Sequence, residues 1–205
     1  LDEASRLARE HLSPSRAVQI LGWYATELDR CGHTQDALAK RIERVEVARA
    51  SDDPADLIGP LWSLADGNRR NGKGDEALAC IAEALAVTQG ADQARFLSLE
   101  AITLAAMGRP EDAVDSLSRA TVGAEAAGED DALAAVRARG AYVLALVGDT
   151  DAAKERITHA CTTAAASDDP DSGFQYVDNV ITDIRGVGLN ELGDALEEVR
   201  NRFRS

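Results

Sequence analysis

The 205-residue sequence is poor in aromatic residues, cysteine and proline. Aromatics make up 4% of the chain, and there are 3 cysteines, 5 prolines and 1 methionine. The cysteines, at positions 31, 80 and 161, are too few and too scattered for a disulfide framework or a zinc site. They predict reduced core residues in an intracellular compartment. Few prolines and no period-2 apolar alternation argue against a sheet protein.

Long apolar runs and basic stretches are also missing. No run approaches the roughly 20 residues that a membrane span requires, and no secretory leader opens the sequence. The net charge is −14, without a basic stripe that could displace counterions from phosphate. We therefore expect no membrane and no nucleic acid as partners of this region, and a cytoplasmic location. Because Leu1 falls inside a predicted helix, we expect the chain to be a fragment of a longer protein.

Residue clusters that carry catalysis or metal binding are missing as well. None of the three histidines, His11, His33 and His159, has a second ligand four residues on. The NGKG stretch at 71–74 lacks the spacing of a phosphate-binding loop. No nucleophile accompanies a base. We therefore predict no catalytic residue, no metal site and no cofactor, and we predict that the chain is not an enzyme.

What the sequence does contain is 38 alanines and a fourfold repeat built on them. Each repeat has an alanine, then a glycine seven residues later, then an alanine five residues after that; the glycines are Gly32, Gly72, Gly108 and Gly148. Seven residues further on stands Ala84, Ala120 or Ala160, with Arg44 as the exception. Small residues let antiparallel helices approach, and glycine suits a left-handed helix cap. We predict about ten helices, turning at these glycines.

This register resembles the tetratricopeptide repeat (TPR), most closely in the stretch AAMGRPEDAVDSLSRA at 105–120. The resemblance implies an all-α, right-handed superhelical solenoid of antiparallel helix pairs. Residues 15–170 would hold four TPR-like repeats, preceded at 1–14 by the second helix of a truncated repeat. Residues 171–205 would form an irregular, capping C-terminal helix pair, all within one solenoid domain. The large aromatics of the family are mostly replaced here by leucine or alanine.

The resemblance also implies a concave groove lined by the first helix of each pair, at positions 13, 10, 6 and 3 residues before each turn glycine. From these we select eight candidate partner-binding residues: Thr26, Asp29, Trp62, Asp66, Arg69, Arg95, Ser98 and Tyr142. The two aromatics among them are candidate anchors, with packing between helices as the alternative for each. The two arginines would suit an acidic or carboxylate-bearing ligand.

We therefore predict a module that binds a protein or peptide, including the alternative that the partner is another part of its own polypeptide. Similar arrays form the sensor or partner-binding regions of larger bacterial regulatory proteins. The bias of 19 arginines to 3 lysines is typical of a GC-rich bacterial coding source. The alternatives are a structural oligomerisation array, which would make the chain a homo-oligomer, and a helical pocket for a small ligand.

Overall fold

The computed structural model describes residues 13–204, and these are helical apart from short turns, with no strand among them. The predicted helix over residues 1–14 therefore lies almost wholly outside the described residues. The all-α prediction is confirmed. The helices are α1 (Pro14–Arg30), α2 (Thr34–Arg49), α3 (Ile58–Arg70), α4 (Gly74–Leu85), α5 (Gly90–Ala106), α6 (Pro110–Ala127), α7 (Asp130–Leu146), α8 (Thr150–Ala166), α9 (Pro170–Gly186) and α10 (Asn190–Arg204), with a 3-10 helix over Pro54–Leu57.

The chain divides into two compact units, residues 1–88 (unit 1) and residues 89–205 (unit 2). In unit 1 the helix pairs are α1 with α2 and α3 with α4, and α2 also packs on α3. In unit 2 the pairs are α5 with α6, α7 with α8 and α9 with α10. There the first helices of successive pairs, α5, α7 and α9, pack side by side, whereas α1 and α3 of unit 1 make at most marginal contact with each other.

The turn within each repeat has the geometry that the glycines predict. Gly32, Gly72, Gly108 and Gly148 have φ values of 80°, 72°, 74° and 86°. The backbone N–H of the residue after each glycine donates to the carbonyl of the residue four positions before that glycine, at 2.8–2.9 Å. At Gly32, for example, His33 donates to Leu28. This hydrogen bond gives a partner to one of the carbonyls that have no intrahelical donor at the end of the helix. The predicted turn positions are confirmed.

The alanines of the repeat form the contact between the two helices of a pair. Ala25, Ala65, Ala101 and Ala141 on the first helices are 0–1% exposed, and Ala37, Ala77, Ala113 and Ala153 on the second helices are 0% exposed. Because a methyl group is the whole side chain, the two backbones come close and larger residues fill the space around them. The largest fully buried side chains are Leu21, Leu61 and Ile81 in unit 1 and Phe96, Leu99, Ile157, Ile184 and Leu196 in unit 2.

The C-terminal pair, α9 and α10, follows the same register with different residues. Its turn glycine, Gly188, has φ 87° and lies 40 residues after Gly148. Ile181 replaces the first alanine and Gly193 the second, and both are buried. A larger side chain on one helix is thus matched by a smaller one on the other. The sequence search for alanine missed this fifth copy because neither alanine is present.

Candidate ligand face in unit 1

The predicted groove positions of unit 1 keep accessible surface. None of the eight groove positions on α1 and α3 is buried, and Thr26 is exposed, where its hydroxyl donates to the Gly22 carbonyl at 3.0 Å. Trp62 is half-buried. We call these residues the unit 1 face: Gln19, Gly22, Thr26 and Asp29 on α1, and Gly59, Trp62, Asp66 and Arg69 on α3.

The equivalent positions of unit 2 are mostly inside the protein. Ser98 is 0% exposed and Tyr142 is 4% exposed. Ile102, Ala135, Ala138 and Ala145 are also buried, and only Arg95 and Ala105 retain intermediate exposure. Ser98 donates to the Arg95 carbonyl at 2.6 Å and accepts from Arg139 at 3.1 Å. Burial favours the packing alternative for Tyr142, because a ring with almost no accessible surface cannot contact a partner.

The predicted cation Arg69 is engaged by its own chain. Its Nε and Nη2 donate to Asp66 Oδ1 at 3.0 and 2.8 Å, and Arg70 Nε donates to Asp66 Oδ2 at 2.8 Å. Burial opposes ionisation of Asp66, but the two guanidinium groups outweigh it and hold the pKa of Asp66 below its ordinary value. Arg69 is therefore already bound to a carboxylate of its own helix before any partner arrives.

Arg95 is likewise paired within unit 2. It donates to Asp92 at 3.0 Å on its own helix and to Asp131 at 2.9 Å on α7, and Glu129 lies 3.6 Å away. Asp131 also accepts from Ser172 of α9 at 2.8 Å. Burial lowers the pKa of Arg95, yet the bond to Asp92 and the nearby negative charges raise it overall. This network links three neighbouring helices, and a role for Arg95 in partner binding stays a prediction.

An open cleft of about 420 Å³ lies beside the unit 1 face, between α1, α2 and α3. Its lining is polar and comprises Asp29, Thr34, Arg41, Asp66, Gly67, Arg70 and Asn71. Arg41 crosses it: the guanidinium is bonded to Asp29 on α1, and its Nε donates to Ser63 on α3 at 3.1 Å. The cleft thus brings together Asp29 and Asp66, two of the predicted site residues. Its lining contains both hydrogen-bond donors and hydrogen-bond acceptors.

Two residues of unit 1 were missed as functional candidates. Trp23, on α1 between Gln19 and Thr26, is 71% exposed, although tryptophan is seldom left in water. Arg44 of α2 reaches α1, where its Nε donates to the Val18 carbonyl at 3.0 Å. The signal for Arg44 was visible, since it is the one break in the alanine register. No comparable signal marked Trp23.

A second open cleft, of about 560 Å³, lies in unit 2 between α6, α7 and α8. Glu125, Arg137, Glu155, Arg156 and His159 contribute charged or titratable groups to its wall. Within residues 13–204, no three His, Cys, Asp or Glu side chains gather as metal ligands would. Nor does any helix in that range have the length and apolarity needed to cross a bilayer.

No family model and no curated protein matches the sequence. Solved structures do match it. A Rap protein complexed with competence and sporulation factor superposes with a TM-score of 0.70 at 12% identity, covering 98% of this chain and 58% of the Rap chain. BtubC (BKLC) from P. vanneervenii gives 0.64 at 18% identity, covering 99% and 86%. A kinesin light chain with TPR-like repeats from Podosopora anserina gives 0.59 at 16% identity, covering 93% and 95%.

These similarities define the class of protein: the chain has the fold of TPR-like helical repeats. The resemblance inferred from the glycine and alanine register is confirmed at the level of the fold. At identities of 12–18% the similarity carries no ligand from one protein to another. The chain also spans 58% of the length of the Rap chain, so an activity of a whole protein of that kind is not transferred.

Proposed function

We propose that the chain binds a protein or peptide segment on the unit 1 face. The observation that carries the proposal is the contrast in burial: all eight groove positions of unit 1 keep accessible surface, whereas six of the eight in unit 2 are buried. The accessible side chains of unit 1 are solvated by water in the free chain and can contact a partner, whereas the buried ones of unit 2 cannot. Trp62 and the neighbouring Trp23 give this face the aromatic surface that typifies binding anchors.

The chemistry of the face suits a segment with both apolar and hydrogen-bonding groups. Trp62 can accept an apolar side chain, while the cleft beside it offers Thr34, Asn71 and the Arg41–Asp29 pair. The Rap neighbour is described as complexed with competence and sporulation factor, which supports a ligand-binding use of this fold. We further propose that the chain is the partner-binding region of a larger bacterial regulatory protein and acts in the cytoplasm.

A peptide selection tests the proposal. A random-sequence peptide library is selected against the wild-type chain, and the retained peptides are titrated against wild type and Trp62→Ala. If Trp62 is an anchor, the substitution costs about 2 kcal/mol or more of binding with little loss of stability. If Trp62 is a packing residue, it costs about 3–5 kcal/mol of unfolding free energy instead.

The matched control is Val122→Ala, which truncates another apolar side chain, 68% exposed, on α6 of unit 2. It should leave the affinity for the same peptides unchanged. If Trp62→Ala melts at a much lower temperature but binds the peptides with unchanged affinity, Trp62 is a packing residue and does not contact the peptide. Failure to retain any peptide, together with self-association in light scattering, would favour the oligomerisation alternative.

A further inference from the structure

Arg44 occupies a position that three of the other four helix pairs give to a buried alanine and the C-terminal pair gives to Arg200. The three alanines, Ala84, Ala120 and Ala160, are each 0% exposed. In unit 1 the same site on α2 carries a long cationic side chain that keeps intermediate exposure. An arginine there occupies far more space than a methyl group, and α1 and α3 make at most marginal contact.

The guanidinium of Arg44 lies against two glycines of the unit 1 face. A Cβ added to Gly22 on α1 would lie 2.9 Å from Arg44 Cζ, and a Cβ added to Gly59 on α3 would lie 3.7 Å from Nη2. Nε is already bonded to the Val18 carbonyl. Since neither glycine has a side chain, neither places any atom beyond its backbone between the guanidinium and the unit 1 face.

The positive charge of Arg44 has no counter-charge among residues 13–204. Arg41 is paired with Asp29, and Arg69 and Arg70 with Asp66, whereas no described carboxylate comes within ion-pair distance of Arg44. Burial, and then the nearby charge of Arg41, lower the pKa of Arg44 from its ordinary value. Arg200, at the equivalent position of the C-terminal pair, is paired with Asp178 and Glu197. A half-buried cation that lacks such a counter-charge among the described residues is costly to a fold, and a ligand that supplied the counter-charge would offset this cost.

We propose that Arg44 receives a carboxylate group of the bound peptide or protein segment, held between Gly22 and Gly59. This inference rests on the proposed function, because it names the chemistry of the ligand at the same face. The planar guanidinium presents its terminal N–H groups in a fork that fits a carboxylate. A doubly charged phosphate is disfavoured, relative to a singly charged carboxylate, by the net charge of −14.

The first experiment uses acetate as the probe and needs no peptide. The amide NMR signals of Gly22 and Gly59 are followed while sodium acetate replaces sodium chloride at constant ionic strength. In the wild-type chain we expect a saturable shift of both signals. In Arg44→Ala, which carries the residue found at this position in three other repeats and should fold, we expect no saturable shift. Equal responses of the two proteins would overturn the proposal, whatever the outcome of the peptide selection.

The second experiment locates the carboxylate on the ligand. Each selected peptide is remade with its Asp and Glu residues changed singly to Asn and Gln, and with an amidated C-terminus. Loss of one carboxylate should weaken binding to wild type by about tenfold to a hundredfold, as expected for a hydrogen bond to a charged group. The same change should have no effect on binding to Arg44→Ala. Equal losses with both proteins would show that another group recognises the carboxylate and would refute the role of Arg44.

Gly22→Ala provides a second, independent variant. The three atoms nearest to the added methyl group all belong to the flexible end of Arg44, so the methyl group should displace the guanidinium with little change in melting temperature. We expect it to weaken binding of the carboxylate-bearing peptides and to leave their amide forms unaffected. Unchanged affinity for both forms would contradict the proposed position of the carboxylate. Loss of all peptide binding in Trp62→Ala, with the acetate response intact, would separate the proposed peptide face from the Arg44 site.

Discussion

Replacing Gly173 by alanine should destabilise unit 2, because α9 and α8 meet there with no room for a methyl group. An added Cβ would lie 2.6 Å from Ala164 Cβ and 2.9 Å from Ala164 Cα. Both atoms are fixed to the backbone of α8, so neither can rotate away and the helices must separate. Such overpacking costs about 1–3 kcal/mol, and the lower chain entropy of alanine returns about 0.5–1 kcal/mol.

Because the contact is rigid, we expect the upper part of that range, a net loss of about 2 kcal/mol or about 4–8 °C in melting temperature. The assay is urea and thermal unfolding followed by far-ultraviolet circular dichroism. Gly186→Ala is the matched control: it lies at the other end of α9, and nothing lies within 4 Å of its added Cβ. It should be as stable as wild type or slightly more so. If Gly173→Ala and Gly186→Ala unfold at the same urea concentration and the same temperature, α8 and α9 do not approach each other as closely as described.

Two further predictions concern titration and thiol reactivity. Since its guanidinium partners hold the pKa of Asp66 down, Asp66 stabilises the fold above the carboxyl's unfolded pKa of about 4, and this contribution is lost as the pH falls through the lower folded pKa. Asp66→Asn should thus be less stable than wild type at neutral pH, with a gap that closes in acid; a gap independent of pH in urea unfolding would contradict this. Burial raises the pKa of the Cys161 thiol to about 11, whereas Cys31 is exposed. Mass spectrometry after brief iodoacetamide treatment of the native chain should therefore find Cys31 alkylated and Cys161 intact, and equal labelling would refute the burial of Cys161.

The repeat architecture was predictable because it depends on local rules. A glycine at the left-handed cap and an alanine on either side specify where a helix ends and where its neighbour packs, and both can be recognised by spacing alone. The Asp66–Arg69 pair is local too, since residues three apart face each other on one helix. The fifth pair was not recognised because Ile181 and Gly193 stand, both buried, where the other pairs have alanines.

Accessibility at the candidate site depended on tertiary structure. Trp62, ten residues before its turn glycine, lies on a partly exposed face, whereas Tyr142, six residues before its own, lies in the interior, although the resemblance assigns both to the groove. Spacing along a helix states which direction a side chain points, but not whether a neighbouring helix covers it. Arg95 shows the same limit, since its partner Asp131 lies 36 residues away on another helix.

The sequence by itself determined the helices, their turns and the methyl-sized contacts within each pair, because these follow from backbone conformation and side-chain volume over a few residues. It also showed that Arg44 breaks the alanine register. Only the tertiary structure placed the Arg44 guanidinium beside Gly22 and Gly59, on two helices 37 residues apart in sequence, without a carboxylate among the described residues to neutralise it. Charge balance depends on distances through space, and those distances exist only once the helices have packed.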